Sequence, residues 1–146
     1  MFRFRLESVL NARRAHEDKL LREFSEKSRE LEKAKQALEA LIAERMESID
    51  RLKKIQDQTV AAAEIGMYTS YIDALQGRVE HQQKVVAKAE EALEAKRQEV
   101  LEAVKNRKIM ENLKERHRLE YETSMDHKER KVLDEISLQG FGRRLP

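Results

Sequence analysis

Apolar residues recur every three or four positions along most of this chain, and the recurrence fails once, near the middle. In the first half Leu10, Leu20, Phe24, Leu31, Ala34, Leu38, Leu41, Leu52 and Ile55 hold one apolar stripe on one helical face. Arg13, Glu17 and Lys27 interrupt the stripe. Ile49 falls beside it, which predicts a stutter that locally unwinds a supercoil. The second half is more regular: Ile72, Val79, Val86, Leu93 and Val100 read as heptad a positions, with Leu75, Gln82, Ala89, Lys96, Ala103 and Met110 at d. Farther on the seam turns polar, through Arg107, Lys114, His117, Tyr121, Ser124 and Lys128. Glu and Lys spaced by four, such as Glu23 and Lys27, fill the faces between.

The break lies in Thr59–Ser70, where charges thin out. Gly66 tolerates a left-handed backbone there, and Thr69 and Ser70 offer a helix N-cap. The pattern predicts an all-α fold, an antiparallel two-helix coiled-coil hairpin forming a single elongated domain. Helix one is expected over about 4–58, the reversal over about 59–70, helix two over about 71–138 and a flexible tail over about 139–146. Pairing about Gly66 sets Leu41 opposite Ala89–Glu91 and Phe24 opposite Arg107. A helix of ~55 residues is roughly 80 Å long. Burying one Leu or Val yields about 1.5–3 kcal/mol, against about 1.5 kcal/mol to order each residue. With one seam residue in three or four, an isolated hairpin is marginal. Fraying where the termini meet is expected, or support there from a partner; a second copy completing a four-helix bundle is an alternative.

Composition agrees with a long-helix protein: 40% of the 146 residues are charged and 5% aromatic, with four glycines and one proline. Disorder is the competing reading of such a composition, and the periodicity of the apolar residues argues against it. The absence of cysteine fits a reducing, cytoplasmic setting and leaves no thiolate metal site. No apolar run approaches the ~20 residues of a membrane span, and Met1–Leu6 lacks the apolar core of a secretory signal. The expected location is therefore cytoplasmic. Net charge is only +2, yet Arg3, Arg5, Arg13, Arg14, Lys19 and Arg22 crowd the start, and Lys105, Arg107, Lys108, Lys114, Arg116 and Arg118 crowd a segment that folding back brings beside it. Like charges there are expected to be offset by an acidic partner or by solvent.

Recognisable chemistry is sparse. The glycines form neither GxGxxG nor GxxxxGK[ST], no serine lies in GxSxG, and no histidine has a carboxylate three positions before it. His117 alone has one three positions after, Glu120, more simply read as a seam-edge pair than as metal ligands. No catalytic residue, metal or cofactor is expected. Basic segments interleaved with glutamate and poor in aromatics suit a solvated coiled-coil face better than a nucleic-acid surface. Gly77, inside helix two, suggests either a close approach or neutral drift at about 1 kcal/mol against alanine. Tyr68 and Tyr71, within a turn of the expected reversal, read equally as a binding hot spot or as a small cluster capping the hairpin.

Three motifs carry a resemblance. Phe4-Arg5-Leu6-Glu7-Ser8-Val9-Leu10-Asn11-Ala12-Arg13 at the start, Tyr68-x-x-Tyr71-Ile72-x-x-Leu75 after the break, and Lys128–Ser137 running into Phe141-x-Arg143 occur in the order seen in the flagellar export protein FliJ family, which the whole chain resembles. The resemblance implies a hairpin like the central stalk of rotary ATPases. It implies a non-enzymatic component of the flagellar type III export apparatus, peripheral at the inner membrane through its partners. Its termini would dock into a hexameric export ATPase ring through Arg3, Arg5, Arg13, Arg14, Arg116, Arg118, Arg130, Lys131, Arg143 and Arg144. Its loop end would meet the cytoplasmic domain of the export gate protein through Leu41, Tyr71 and Leu75, with Arg78 and Gln82 as rim contacts. Family members can carry aromatics near Glu44 and Ser48, where this chain has none. Export chaperones are further implied partners; nucleic acid and small-molecule substrates are not. The rival reading is a generic coiled-coil holdase or scaffold that binds unfolded export clients or export chaperones through an exposed seam beyond Val104.

Overall fold

A computed structural model describes residues 1–59 and 61–144, with side chains as far as Gly140. Two helices account for nearly all of them: α1, Glu7–Gln56, and α2, Ala62–Arg144. They pack against each other as a helical hairpin. The chain divides into two compact units, a loop-proximal unit of Lys19–Leu101 and a terminal unit of Met1–Asp18 with Glu102–Pro146.

In the loop-proximal unit the two helices run antiparallel, with Glu44 facing Tyr71, Ala34 facing Gln82 and Glu23 facing Lys96. Leu31, Ala34, Ile72, Leu75 and Val79 are buried, and Leu75 is completely enclosed. The reversal is five residues long and contains neither Gly66 nor the expected capping residues. Helix α2 is already formed at Ala62, with the Glu64 amide donating to the Ala61 carbonyl at 3.1 Å. Ala61-Ala62-Ala63 combines the strongest helix former with a glutamate in the first turn, which complements the helix dipole; thin charge here marked a helix start. Thr69 lies within α2 and donates its hydroxyl back to the Ile65 carbonyl at 2.9 Å. A Cβ at Gly66 or Gly77 would meet nothing within 4 Å, and no described glycine has positive φ, so neither serves a turn or a close approach.

Moving the turn shifts every pairing. Leu41, between Ala34 and Glu44, faces the neighbourhood of Leu75 and not Ala89–Glu91, and Arg107 faces Glu17 rather than Phe24. The α1 seam also needs no stutter. It passes with continuous three-four spacing through half-buried Arg45 and buried Ser48, leaving Ile49 to one side.

In the terminal unit Phe4 precedes α1 and is buried, and Leu10 is completely enclosed. The Glu7 amide donates to the Phe4 carbonyl at 3.1 Å, which tucks the entering chain against the first turn. On α2 the seam continues through Ala103, Arg107, Met110, Lys114, His117 and Tyr121, all buried or half-buried. Past Tyr121 every described side chain to Gly140 is exposed, Ser124 and Lys128 included. The seam expected to lie open beyond Val104 is therefore covered as far as Tyr121. The expected flexible tail is helical to Arg144, because two glycines cost only about 1 kcal/mol each and the sole proline comes at position 146.

Candidate functional site

Two surfaces were expected to carry contacts, and each unit holds one. In the terminal unit, opposite charges join the helices. Lys114 Nζ lies 2.9 Å from a Glu7 carboxylate oxygen, Arg14 pairs with Glu111 at 3.6 Å, and Arg107 bridges Glu17 across the seam to Glu111 on its own helix at 2.8 Å. The resulting chain Arg14–Glu111–Arg107–Glu17 alternates in sign. The hydrogen bonds that Arg107 donates to Glu17 and then to Glu111 raise its pKa, and the Arg107 guanidinium holds Glu111 below the usual carboxylate range. Of the like charges crowded in these two segments, Arg14, Arg107 and Lys114 are thus offset within the chain itself. Rings add to the closure: Phe4 meets His117 edge-on with centroids 5.6 Å apart, Phe2 meets Tyr121 at 5.7 Å, and the terminal ammonium donates to the Tyr121 hydroxyl at 2.9 Å.

These contacts sort the residues expected on the ring-facing surface. Arg3, Arg5, Arg13 and Arg116 are exposed, and Arg14 is exposed but paired with Glu111. Arg118 is spoken for within α2, where it grips Glu115 at 2.6 Å and also Glu122, and it pulls the Glu115 pKa down. Arg130 and Lys131 stand exposed on the stretch of α2 past Tyr121. The side chains of Arg143 and Arg144 lie outside the described residues. That stretch also presents Met125, Val132, Leu133 and Ile136, which no seam covers.

In the loop-proximal unit the expected gate-facing residues separate into surface and core. Leu75 is fully enclosed and cannot touch a partner while the hairpin is intact. Gln82 is half-buried, and its amide donates to the Ala34 carbonyl at 3.1 Å, a polar seam contact that fixes register. Leu41 is half-buried, whereas Tyr71 and Arg78 are exposed. The Tyr71 hydroxyl donates to Glu44; that hydrogen bond, with some desolvation, raises the phenol pKa. Glu44, near which in sequence this chain has no aromatic, thus lies beside Tyr71. Sequence reasoning missed Arg45 and Ser48. Both lie at seam positions by the three-four count from Leu41, but their polarity hid them; the Arg45 Nε is enclosed without a hydrogen-bond partner. Lys96 sits at a heptad d position and survives there by gripping Glu23 at 2.7 Å and Glu99 at 2.6 Å, which raise its pKa.

Open grooves run along α2, such as the one past Asn112, Arg116, Glu120 and His127. Among the described residues no cluster of three or more His, Cys, Asp or Glu could hold a metal ion, and no helix is long and apolar enough to cross a membrane.

A sequence model of the family described as flagellar FliJ protein matches residues 1–146. Among solved structures, a YscO homolog from Chlamydia trachomatis superposes with a TM-score of 0.63 at 23% identity, covering 99% of this chain and 100% of that one; at this identity the likeness is one of fold. A search among curated proteins finds no match.

Proposed function

The chain belongs to the flagellar FliJ protein family, and we propose that it is a non-enzymatic stalk of the flagellar protein-export apparatus. In this reading the terminal unit docks into a hexameric export ATPase ring, and the loop-proximal unit meets the cytoplasmic domain of the export gate. Export chaperones are further partners, and any membrane association runs through the gate. The observation that supports it best is the contrast between the units: one presents exposed arginines and an uncovered helix, the other a tyrosine and an arginine over an enclosed apolar core. Exposed charged contacts let a partner grip and slip, where a dry apolar interface would lock.

Stimulation of the export ATPase by the purified chain tests the reading. Removing 127–146, which lies past the paired seam, is expected to abolish stimulation and leave both helices paired. Tyr71→Ala with Arg78→Ala is expected to weaken gate binding while stimulation persists; Leu75→Ala is unsuitable because it empties the core. Full stimulation by the truncated chain would remove the ring assignment. The exposed Met125, Val132, Leu133 and Ile136 favour a second reading, a holdase for unfolded export clients. A pull-down separates the two: the stalk gives a saturable, salt-sensitive complex with one ATPase, the holdase promiscuous binding that salt barely changes.

A further inference from the structure

The terminal unit contains a groove whose present occupant is part of the chain itself. Its floor on α2 is Ala103, Met110, His117 and Tyr121, with Arg107 and Lys114 set between them. Over it lies the strap Met1–Asp18, with Phe4 on His117, Leu10 fully enclosed, Glu7 on Lys114 and Glu17 on Arg107. Glu7, Leu10 and Glu17 fall three and then seven residues apart, so they share one helical face. The occupant thus displays what the groove accepts: an amphipathic helix with two carboxylates ten residues apart and an apolar residue one turn after the first.

The strap is held differently from the helices of the loop-proximal unit. Partly exposed ion pairs contribute modestly, so lifting the strap forfeits those pairs together with what Phe4 and Leu10 bury. Separating the helices of the other unit uncovers Leu31, Ala34, Ile72, Leu75 and Val79 together. The strap therefore has less buried apolar contact to lose on opening than the other unit has.

We propose that the α2 groove between Ala103 and Tyr121 is a docking surface for an acidic amphipathic helix of a partner protein, and that Met1–Asp18 is its built-in competitor. Charge complementarity selects the occupant: Arg107 and Lys114 call for carboxylates, while Ala103 and Met110 call for apolar side chains that a nucleic-acid backbone lacks. Glu111, beside Arg107, disfavours a chain of phosphates. Because the groove is available only in the open fraction, weakening the strap strengthens the partner by the same factor. The inference concerns the free chain and stands apart from the ATPase and gate assignments.

The probe is a fluorescein-labelled peptide with the sequence of residues 3–18, titrated with full-length chain at low salt and read by anisotropy. A chain carrying E7Q and E17Q is expected to bind it at least about fivefold more tightly than the unaltered chain. Adding R107Q and K114Q should weaken that binding about tenfold or more, as should Gln at both glutamates of the peptide, an arm that needs no altered protein. Equal affinity for the strap-weakened and unaltered chains, or indifference to the peptide's glutamates, overturns the proposal. Displacement of the peptide by a DNA oligonucleotide at matched concentration also overturns it. Sedimentation of the same samples should give one chain of 17.2 kDa with bound peptide; a doubled mass would show copies exchanging straps and overturn the partner-helix assignment.

Discussion

The two units are made from the same pair of helices with the same three-four spacing, yet they close by different physics. In the loop-proximal unit Ile72, Leu75 and Val79 of α2 meet Leu31 and Ala34 of α1, and polar seam residues such as Gln82 and Lys96 each find a specific partner. In the terminal unit the buried apolar residues among those described are only Phe4, Leu10 and Ala103, and Glu7, Glu17, Arg107, Glu111 and Lys114 add ion pairs to the closure. Apolar burial is not screened by salt and does not titrate, whereas ion pairs are screened and do titrate. One pattern of spacing thus yields a clamp in one place and a release in another, depending on what occupies the seam.

Emptying each core is the strongest way to break the comparison. Leu75→Ala should cost about 2–5 kcal/mol in urea denaturation followed by circular dichroism. Leu10→Ala should fall toward the lower end of that range, because its site lies near a helix start that can relax. Hydrogen exchange should separate them, with L75A exposing amides around 31–48 and 72–82 and L10A only those around 7–18 and 103–121. Uniform exposure by either variant would mean that the units do not open independently.

Charge comes next. Arg107→Gln should speed exchange over 7–18 roughly two- to fivefold, and 1 M salt should do likewise for the unaltered chain while 31–48 stays protected. Acid sharpens this further. The Glu111 and Glu115 carboxyls are held below their ordinary value of 4.5, so their stabilisation is fully present above that value and disappears as pH falls through their lowered values. Loosening of the terminal unit should begin below pH 4.5 and deepen as pH falls further; loosening already complete above pH 4.5 would rule these carboxylates out as its cause.

The smallest effect has the opposite sign. Gly66→Ala and Gly77→Ala should each stabilise the chain by about 0.5–1 kcal/mol, because both glycines are helical and exposed with open space where a methyl group would go. A loss at Gly66 would restore it to the reversal.

Much of this was legible in the sequence. The α2 seam from Ile72 to Tyr121 is occupied residue by residue as its heptads predict, since a sustained heptad spacing leaves one face to bury even where Gln82, Lys96 or Arg107 fills it. The turn was misread because Gly66 and the thin charge around it look like a break, while Ala61–Ala63 is intrinsically helical. That error moved every cross-chain pairing, while Leu75, a seam residue by its heptad, is core as the pattern has it and not the surface contact that the family resemblance implied. The seam placement of Arg45 and Ser48 went unseen because an apolar periodicity passes over polar residues at seam positions. Glu44 beside Tyr71 depended on the register, which the misplaced turn had shifted.

The sequence by itself determined that there are two long helices, that one face of each is buried, and that the chain is of the FliJ kind, since periodicity and motif order are properties of the chain read along its length. Only the tertiary structure decided which residue faces which, that Arg107 and Lys114 are answered by Glu17 and Glu7, and that α2 runs uncovered beyond Tyr121. Those outcomes hang on where five residues reverse the chain, and a displacement of a few positions there exchanges partners all along both helices.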